Sequence, residues 1–511
     1  MGELFIGAAT DTGQTHAPGV APVGLRLDRA NRHGLIAGAT GVGKTVTMQV
    51  LAEGFSAAGV PVLLTDVKGD VSGMGEAGAA GERLRARAEA IGLADYAPQA
   101  FPLTFWDVFG EAGHPVRATV AELGPLLLAR LLELNETQEG ALTVVFRMAD
   151  EEGLPILDLK DLRAVLTEAS ARVADLSARW GLVSAASLGA IQRRLLVLET
   201  QGADRYFGEP ALRIADLLRT DPQGRGVVNI LAADRLMRSP RLYAVALLSL
   251  LSGLFEELPE VGDPPKPVLA IFFDEAHLLF DNAPKPLLDK IEQVARLIRS
   301  KGVSLWFVTQ SPADVPDTVL AQLGARVQHA LRAYTPRERR ALKAAADSFR
   351  PNPAFRTETV LPELGVGEAL VSTLDARGAP SVVARTLIRP PASAIGPARP
   401  ETIAAIRAAS PLGPLYDETI DRESAHEILA ARAESAAADA EAWEAAVATK
   451  EREFNTARRY RPGVEGKPPR APARRGDTTG EAFAKSLARS LGSSAGRSIV
   501  RGVLGGLFRG R

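Results

Sequence analysis

Gly38, Gly43, Lys44 and Thr45 stand at the spacing G-x-x-x-x-G-K-T. Glycines at those positions let a loop curl so that successive N–H groups face one point, and the start of a following helix adds its positive end there. That point suits phosphate oxygens. Gly38, Ala39, Thr40, Gly41, Val42, Gly43, Lys44, Thr45 and Val46 are therefore the expected phosphate-binding segment. In it Lys44 neutralises the β- and γ-phosphates and the Thr45 hydroxyl ligates Mg²⁺. A second group is the pair Asp274-Glu275, directly after the apolar run Val268 to Phe273. One carboxylate, Asp274, is expected in the magnesium shell, and the other, Glu275, is placed to polarise an attacking water. A kinase delivers a substrate hydroxyl, whereas a hydrolase must activate water, so the second acid favours nucleotide hydrolysis. Gln310 follows another apolar run, Val303 to Thr309, and an amide there can sense a γ-phosphate or orient the water. No Asn-Lys-x-Asp guanine-reading motif occurs, so ATP with Mg²⁺ is the expected cofactor pair. Arg299, Arg296 and Arg32 lie near these motifs, and phosphoryl transfer is often completed by an arginine from a neighbouring subunit.

The elements that must position these groups are short apolar strands alternating with helices. Gly34 to Ile36 leads into the glycines, and the helical pattern Val46 to Ala57 follows them. Val60 to Thr65 is a second strand, ending in Asp66-Val67-Lys68-Gly69-Asp70, and Phe101 to Val108 a third. From about Gly110 to Asp221 the spacing of Leu, Val and Ile is helical, over Val120 to Leu134, Thr137 to Glu151, Leu157 to Trp180 and Ser187 to Gln201. Strands return at Gly226 to Leu231, Pro267 to Phe273, Val303 to Thr309, Arg326 to Ala330, Glu368 to Thr373 and Val382 to Ile388, with helices over Arg241 to Glu257 and Lys285 to Ser300. Such alternation predicts the α/β class, a mostly parallel sheet flanked by helices. The expected organisation is a core in two parts, 1–110 and 225–395, split by an all-helical insertion over 111–224. A helical segment and basic linker over 396–475 and an amphipathic basic C-terminal tail over 476–511 complete it. The Ala/Glu-rich stretch Ser424 to Tyr460 is read within that segment as a solvated helix or weak coiled coil.

Composition limits the alternatives. The chain has 511 residues, 46% hydrophobic and 24% charged, as soluble folded proteins do. No apolar run approaches the ~18 to 20 residues of a membrane-spanning helix. Acidic Glu3 and the lack of an apolar stretch behind it argue against a signal peptide, so a cytoplasmic location is expected. With no cysteine, disulfides, thiolate metal sites and cysteine nucleophiles are excluded. The net charge of −1 hides an asymmetry: from Arg458 to the end thirteen Lys or Arg face three acids, a local +10 that leaves −11 for the rest. A basic arm suits nucleic acid or an anionic membrane surface, or is simply solvated. No platform of interleaved aromatic and basic residues for single strands can be read from the chain.

GATGVGKT, the post-strand DVKGD, FFDEAHLL, RSKGVSLWFVTQSPADVP, LGARVQHALRA and the closing SLARSLGSSAGRSIVRGVLGGLF together resemble the HerA-FtsK superfamily of P-loop ATPases. The nearest likeness is to the bacterial HerA-like helicase family of YjgR type, over most of the chain. The resemblance implies a RecA-like core, a homohexameric ring, hydrolysis between subunits and DNA moving through a central channel. It implies that Arg299 is the trans-acting finger, with Arg296 the other candidate, that Arg32 is a second arginine near the phosphates and that Gln310 is the sensor. It departs at the front, where HerA proteins carry a β-barrel and here 37 residues precede Gly38. Docking of partners through such a barrel, a HerA-type nuclease included, is thereby put in doubt. Asp274-Glu275-Ala276-His277 also spells the DEAH box of another helicase group, but the arginine motif of a second lobe is missing and His277 reads as a helix start. The expected function is an ATP-hydrolysing ring motor acting on DNA. The competing reading is an ATP-gated scaffold or protein-remodelling ATPase whose insertion or tail meets a protein partner or a membrane surface.

Overall fold

The computed structural model describes residues 2–10, 21–79, 81–181, 183–280 and 285–459. Twelve strands form one sheet. In chain order they are β1 (Glu3–Ala9), β2 (Ala21–Arg26), β3 (Gly34–Ala37), β4 (Val62–Asp66), β5 (Leu103–Asp107) and β6 (His114–Pro115). Then follow β7 (Val228–Ala232), β8 (Leu269–Phe273), β9 (Val303–Thr309), β10 (Ala325–Gln328), β11 (Glu368–Ser372) and β12 (Ala384–Ile388). Their order across the sheet is β2-β1-β12-β11-β10-β3-β9-β8-β4-β7-β5-β6. Every pairing from β10 through to β6 is parallel, and those from β10 out to β2 are antiparallel. The α/β class expected from the sequence is the one observed.

The parallel strands read as unbroken apolar runs because both faces are covered. Along β8, Leu269, Ile271 and Phe273 enter one cluster and Ala270 and Phe272 the other; along β9, Leu305 and Phe307 alternate with Trp306 and Val308 in the same way. The second face receives the helix Lys44–Ala57 through Met48, Leu51 and Phe55. The first face receives the helix Pro240–Glu257 and helices lying between β6 and β7, in one continuous cluster that joins Leu142, Leu162 and Leu188 to Phe273 and Phe307. Tertiary structure therefore fuses this helical stretch to the sheet, and Met1–Ser435 forms one unit.

Three differences from the sequence reading have local causes. β1 and β2 continue the sheet beyond β12, adding two antiparallel strands that the sequence analysis does not assign. The pattern Leu157 to Trp180 is two helices, Leu159–Ala171 and Val173–Trp180, broken at Arg172 (φ −115°, ψ 23°). A helix over Pro336–Asp347 is likewise additional, its charged outer face masking the few apolar positions that turn inward. Among the described residues no single helix is long and apolar enough to cross a membrane. The second unit, Ala436–Arg511, is described only to Arg459, as the outer part of the helix Ala425–Arg459, with Trp443 and Phe454 exposed. The basic linker beyond Arg459 and the tail 476–511 lie outside the described residues.

Candidate functional site

Register brings the sequence-predicted groups to one edge. Ala37 lies opposite Thr309 across β3 and β9, Phe273 opposite Phe307 across β8 and β9, and Thr65 opposite Phe273 across β4 and β8. The loops after these four strands thus share the carboxyl edge of the sheet, where open α/β sheets bind ligands. β9 is the bridge: Gly38 N donates to Thr309 O at 3.3 Å, and Ala276 N to Val308 O at 2.8 Å. Gln310, exposed at the tip of β9, stands between the glycine loop and the carboxylate pair.

The loop is braced from below. Ala39 N donates to Ala330 O at 2.9 Å and Gly367 N to Val42 O at 3.0 Å, while the Val42 side chain packs among Ala330, Leu331 and Leu361. Gly38 has φ +155°, and a Cβ there would lie 2.6 Å from the Cβ of His329, so no larger residue fits. His329 is fully buried, accepts from Thr47 Oγ1 at Nε2 (2.8 Å) and donates from Nδ1 to Glu368 O (2.8 Å). Burial pushes its imidazole down to about 4. Lys44 opens the helix, buried, with Nζ donating to Gly38 O (2.8 Å) and Ala39 O (3.0 Å). Burial lowers its pKa, against the pull of Glu275. Thr40 and Gly41 are exposed, Thr45 is half-buried beside Lys44, and Val46 turns toward the core.

The carboxylates are buried and adjacent. Asp274 N donates to Thr65 Oγ1 at 3.0 Å, and burial with the Glu275 charge pushes the Asp274 carboxyl up to about 7. Glu275 takes φ +46°, a left-handed conformation that is costly for a side-chain-bearing residue. Its Oε1 meets Lys68 Nζ at 2.5 Å; its Oε2 lies 3.3 Å from His277 Nδ1, without hydrogen-bond geometry. Burial opposes ionisation of Glu275, but the Lys68 ammonium, together with His277 and Lys44, outweighs it and holds the carboxyl below its ordinary range. Lys68 belongs to DVKGD, where Asp66 Oδ1 accepts from Lys68 N (3.2 Å) and Gly69 N (2.7 Å) and so folds the turn that aims the lysine. Sequence reasoning assigns no role to Lys68 or His329. The usable signal for Lys68 is a lysine two residues past a strand ending at the same sheet edge.

Arg32 and Arg299 are brought together elsewhere. Both meet Asp263, Arg32 Nη2 at 3.3 Å and Arg299 Nη2 at 3.1 Å. Arg32 precedes β3 and Arg299 precedes β9, so both lie at the amino edge of the sheet, roughly 15 Å along β3 from the glycine loop. Within its own chain Arg32 therefore lies away from the glycine loop, at the other end of its strand. Arg296 is exposed on the helix Lys285–Leu297.

No curated protein matches the chain. Among solved structures it is similar to the unbound monoclinic form of the bacterial conjugative coupling protein TrwBdeltaN70, at 16% identity over 77% of this chain and 96% of that one, TM-score 0.46. The plasmid coupling protein TrwB in complex with ADP and Mg²⁺ gives 16%, 77%, 98% and 0.46. VirB4 of Thermoanaerobacter pseudethanolicus gives 16%, 78%, 98% and 0.46. The family model described as "Helicase HerA-like C-terminal" matches residues 13–511. The chain, with its glycine loop, carboxylate pair and polar strand tip on one sheet edge, belongs to this HerA-like helicase C-terminal family.

Proposed function

We propose that this chain is a Mg²⁺-dependent ATP-hydrolysing motor that assembles as a homohexameric ring in the cytoplasm and translocates DNA. Residues 1–110 and 225–395 serve as the motor core, 111–224 as its helical insertion, 396–475 as a helical segment with a basic linker, and 476–511 as a basic tail. The observation that carries the reading is the placing of Glu275, buried and conformationally fixed, one strand away from the glycine loop with Gln310 between them.

The residues fit a nucleotide and its metal. Asp274 is a buried carboxylate whose ionisation is opposed by burial and by Glu275, and among the described residues no Lys or Arg is within ion-pair distance of it. A hard divalent cation suits such an oxygen donor, and the Thr45 hydroxyl and Asp274 would hold it. Bound Mg²⁺ supplies charge neutralisation on the phosphate oxygens. Lys44, now on loop carbonyls, transfers its hydrogen bonds to the β- and γ-phosphates. Glu275 accepts the proton of the attacking water once Lys68 yields, and Gln310 orients that water and reports the γ-phosphate to the rest of the chain. Arg299, and Arg32 with it, act on the site of the neighbouring subunit.

The test is steady-state ATP hydrolysis with and without single- and double-stranded DNA at two ionic strengths. Hydrolysis stimulated by DNA, with stimulation fading as salt rises, is expected. Lys44→Ala loses nucleotide binding, while Glu275→Gln binds ATP and turns over at least about 10²-fold more slowly. A Glu275→Gln enzyme at wild-type rate overturns the water-activating role. Hydrolysis indifferent to every nucleic acid keeps the ATPase and moves its action to a protein partner or a membrane surface.

A further inference from the structure

Between Leu331 and Asp347 the chain reads LRAYTPRERRALKAAAD, five cations against two carboxylates, within a body whose net charge before the tail is −11. The structure makes this a helix, Pro336–Asp347, capped by Thr335. Glu338 is occupied by that cap: its Oε2 accepts from Tyr334 N and Thr335 N, both at 2.8 Å. Leu342, Ala345 and Ala346 face inward, while Arg337, Arg339, Arg340 and Lys343 are exposed. Among the described residues Arg332, Arg337, Arg339 and Lys343 make no ion pair or side-chain hydrogen bond, and Arg340 reaches only Pro336 O of its own helix. The Tyr334 ring, just before the helix, is 80% exposed.

Ordinary solvated helix faces mix signs. Here Arg339 and Lys343 are like charges four apart, and Arg337 and Arg339 stand in the first turn, with Arg340 directly after it, where the helix dipole is already positive. Both features cost helix stability, and a polyanion relieves both. We propose that this face of Pro336–Asp347, with Arg332 and Tyr334, binds nucleic acid through its phosphodiester backbone, the tyrosine stacking on an unpaired base. The inference rests on the motor reading and gives its DNA binding a place in the folded core, apart from the basic tail.

The helix is also tied to the nucleotide site. Its Leu342 and Ala345 share one apolar cluster with Val42 of the glycine loop. It packs against the turn Pro312–Asp314, which begins two residues after Gln310. The segment leading into it starts from His329 and Ala330, which brace that loop. A nucleic acid held on the outer face is thus one helix thickness from both the phosphate cradle and the sensing glutamine.

The test uses fluorescence anisotropy of a labelled oligothymidylate and a duplex of equal length, with the full chain, across a salt series. The quadruple variant R337Q/R339Q/R340Q/K343Q is expected to bind roughly tenfold or more weakly, with a log–log salt slope smaller by about 0.7 for each single-strand phosphate that it no longer neutralises. Tyr334→Ala is expected to weaken single-strand binding about fivefold or more and to leave the duplex unchanged. The control R83Q/R85Q, also exposed helical arginines, is expected to bind as wild type. Thermal melts close to wild type show that the quadruple variant is folded, since its substitutions relieve repulsion and give up only the exposed Arg340–Pro336 O hydrogen bond. Wild-type affinity and slope in the quadruple variant, or an equal loss in the control, overturns the inference and leaves the motor reading standing. Loss of flotation with anionic vesicles while DNA binding persists also overturns it, in favour of lipid. A wild-type protein that hydrolyses ATP and binds no nucleic acid removes both the inference and the DNA part of the proposed function.

Discussion

Glu275 reaches its place through a backbone conformation that side-chain-bearing residues avoid, and it is kept there by one ammonium. The carboxylate is 8% exposed and the Lys68 side chain 47%, so the pair is screened on one side only. Removing the lysine leaves two adjacent buried carboxylates, Asp274 and Glu275, without their one ion-paired ammonium and with only His277 and the more distant Lys44 to offset them. Breaking such a pair costs more than forming it yields, although solvent at the lysine moderates the cost. Lys68→Met is expected to lower stability by about 1 to 2 kcal/mol, and Lys68→Met/Glu275→Gln to recover most of it, because the uncompensated charge is gone. Urea denaturation of the four proteins of this cycle measures the coupling; equal losses on Lys68→Met in the Glu275 and the Glu275→Gln backgrounds would show the ion pair to be energetically idle. The glycine loop and acid pair are legible in the sequence because phosphate and water chemistry constrain spacing along the chain. Lys68 is not, because its partner lies 207 residues away and only the parallel pairing of β4 with β8 joins them.

At the scale of elements, two buried histidines pin β3 from either side. His33 accepts from Leu305 N at Nδ1 (3.0 Å) and donates from Nε2 to Ala295 O (2.7 Å), tying the start of β3 to β9 and to the helix Lys285–Leu297. His329 does the same between the helix Lys44–Ala57 and β11. Both rings are neutral by geometry, each with one nitrogen accepting, and burial pushes both down to about 4. The unfolded chain binds these protons near pH 6.5 and the folded chain does not, so stability is complete above that value and falls as pH drops toward 4. At pH 5 each histidine should cost about 2 kcal/mol relative to pH 7.5. Thermal melts at the two pH values check this, and the difference should shrink in His33→Asn; a flat profile would mean that protons reach the rings in the folded state. The strands these rings tie together are readable as doubly buried apolar runs. β2 is not: Pro22 and Gly24 break its pattern and, at the sheet edge, only one neighbour selects its register. The break at Arg172 is hidden likewise, since both helices keep apolar spacing and tertiary packing sets the bend.

For the whole molecule, the two edges of the sheet carry different halves of the proposed chemistry. Glycine loop, acid pair and Gln310 share the carboxyl edge, while Arg32 and Arg299 share Asp263 on the amino edge. No rotamer change carries Arg32 or Arg299 across that thickness, so the proposed role of Arg299 in hydrolysis is a role on the glycine loop of another copy. The ring we propose has head-to-tail contacts that bring the amino edge of one subunit to the carboxyl edge of the next, with one composite site at each interface. The sequence resemblance names Arg299 without showing this separation, because strand direction, which decides it, follows from pairing rather than composition. Lys44→Ala supplies an intact Arg299 with a dead loop, and Arg299→Ala supplies an intact loop with a missing arginine. Each variant alone should be inactive. Equal mixing with subunit exchange should regenerate intact interfaces at about one in four, and recover up to about a quarter of wild-type hydrolysis, if interfaces work independently. Recovery confined to the average of the two parents would place the completing arginine elsewhere, and the same experiment with Arg296→Ala then decides between the two positions.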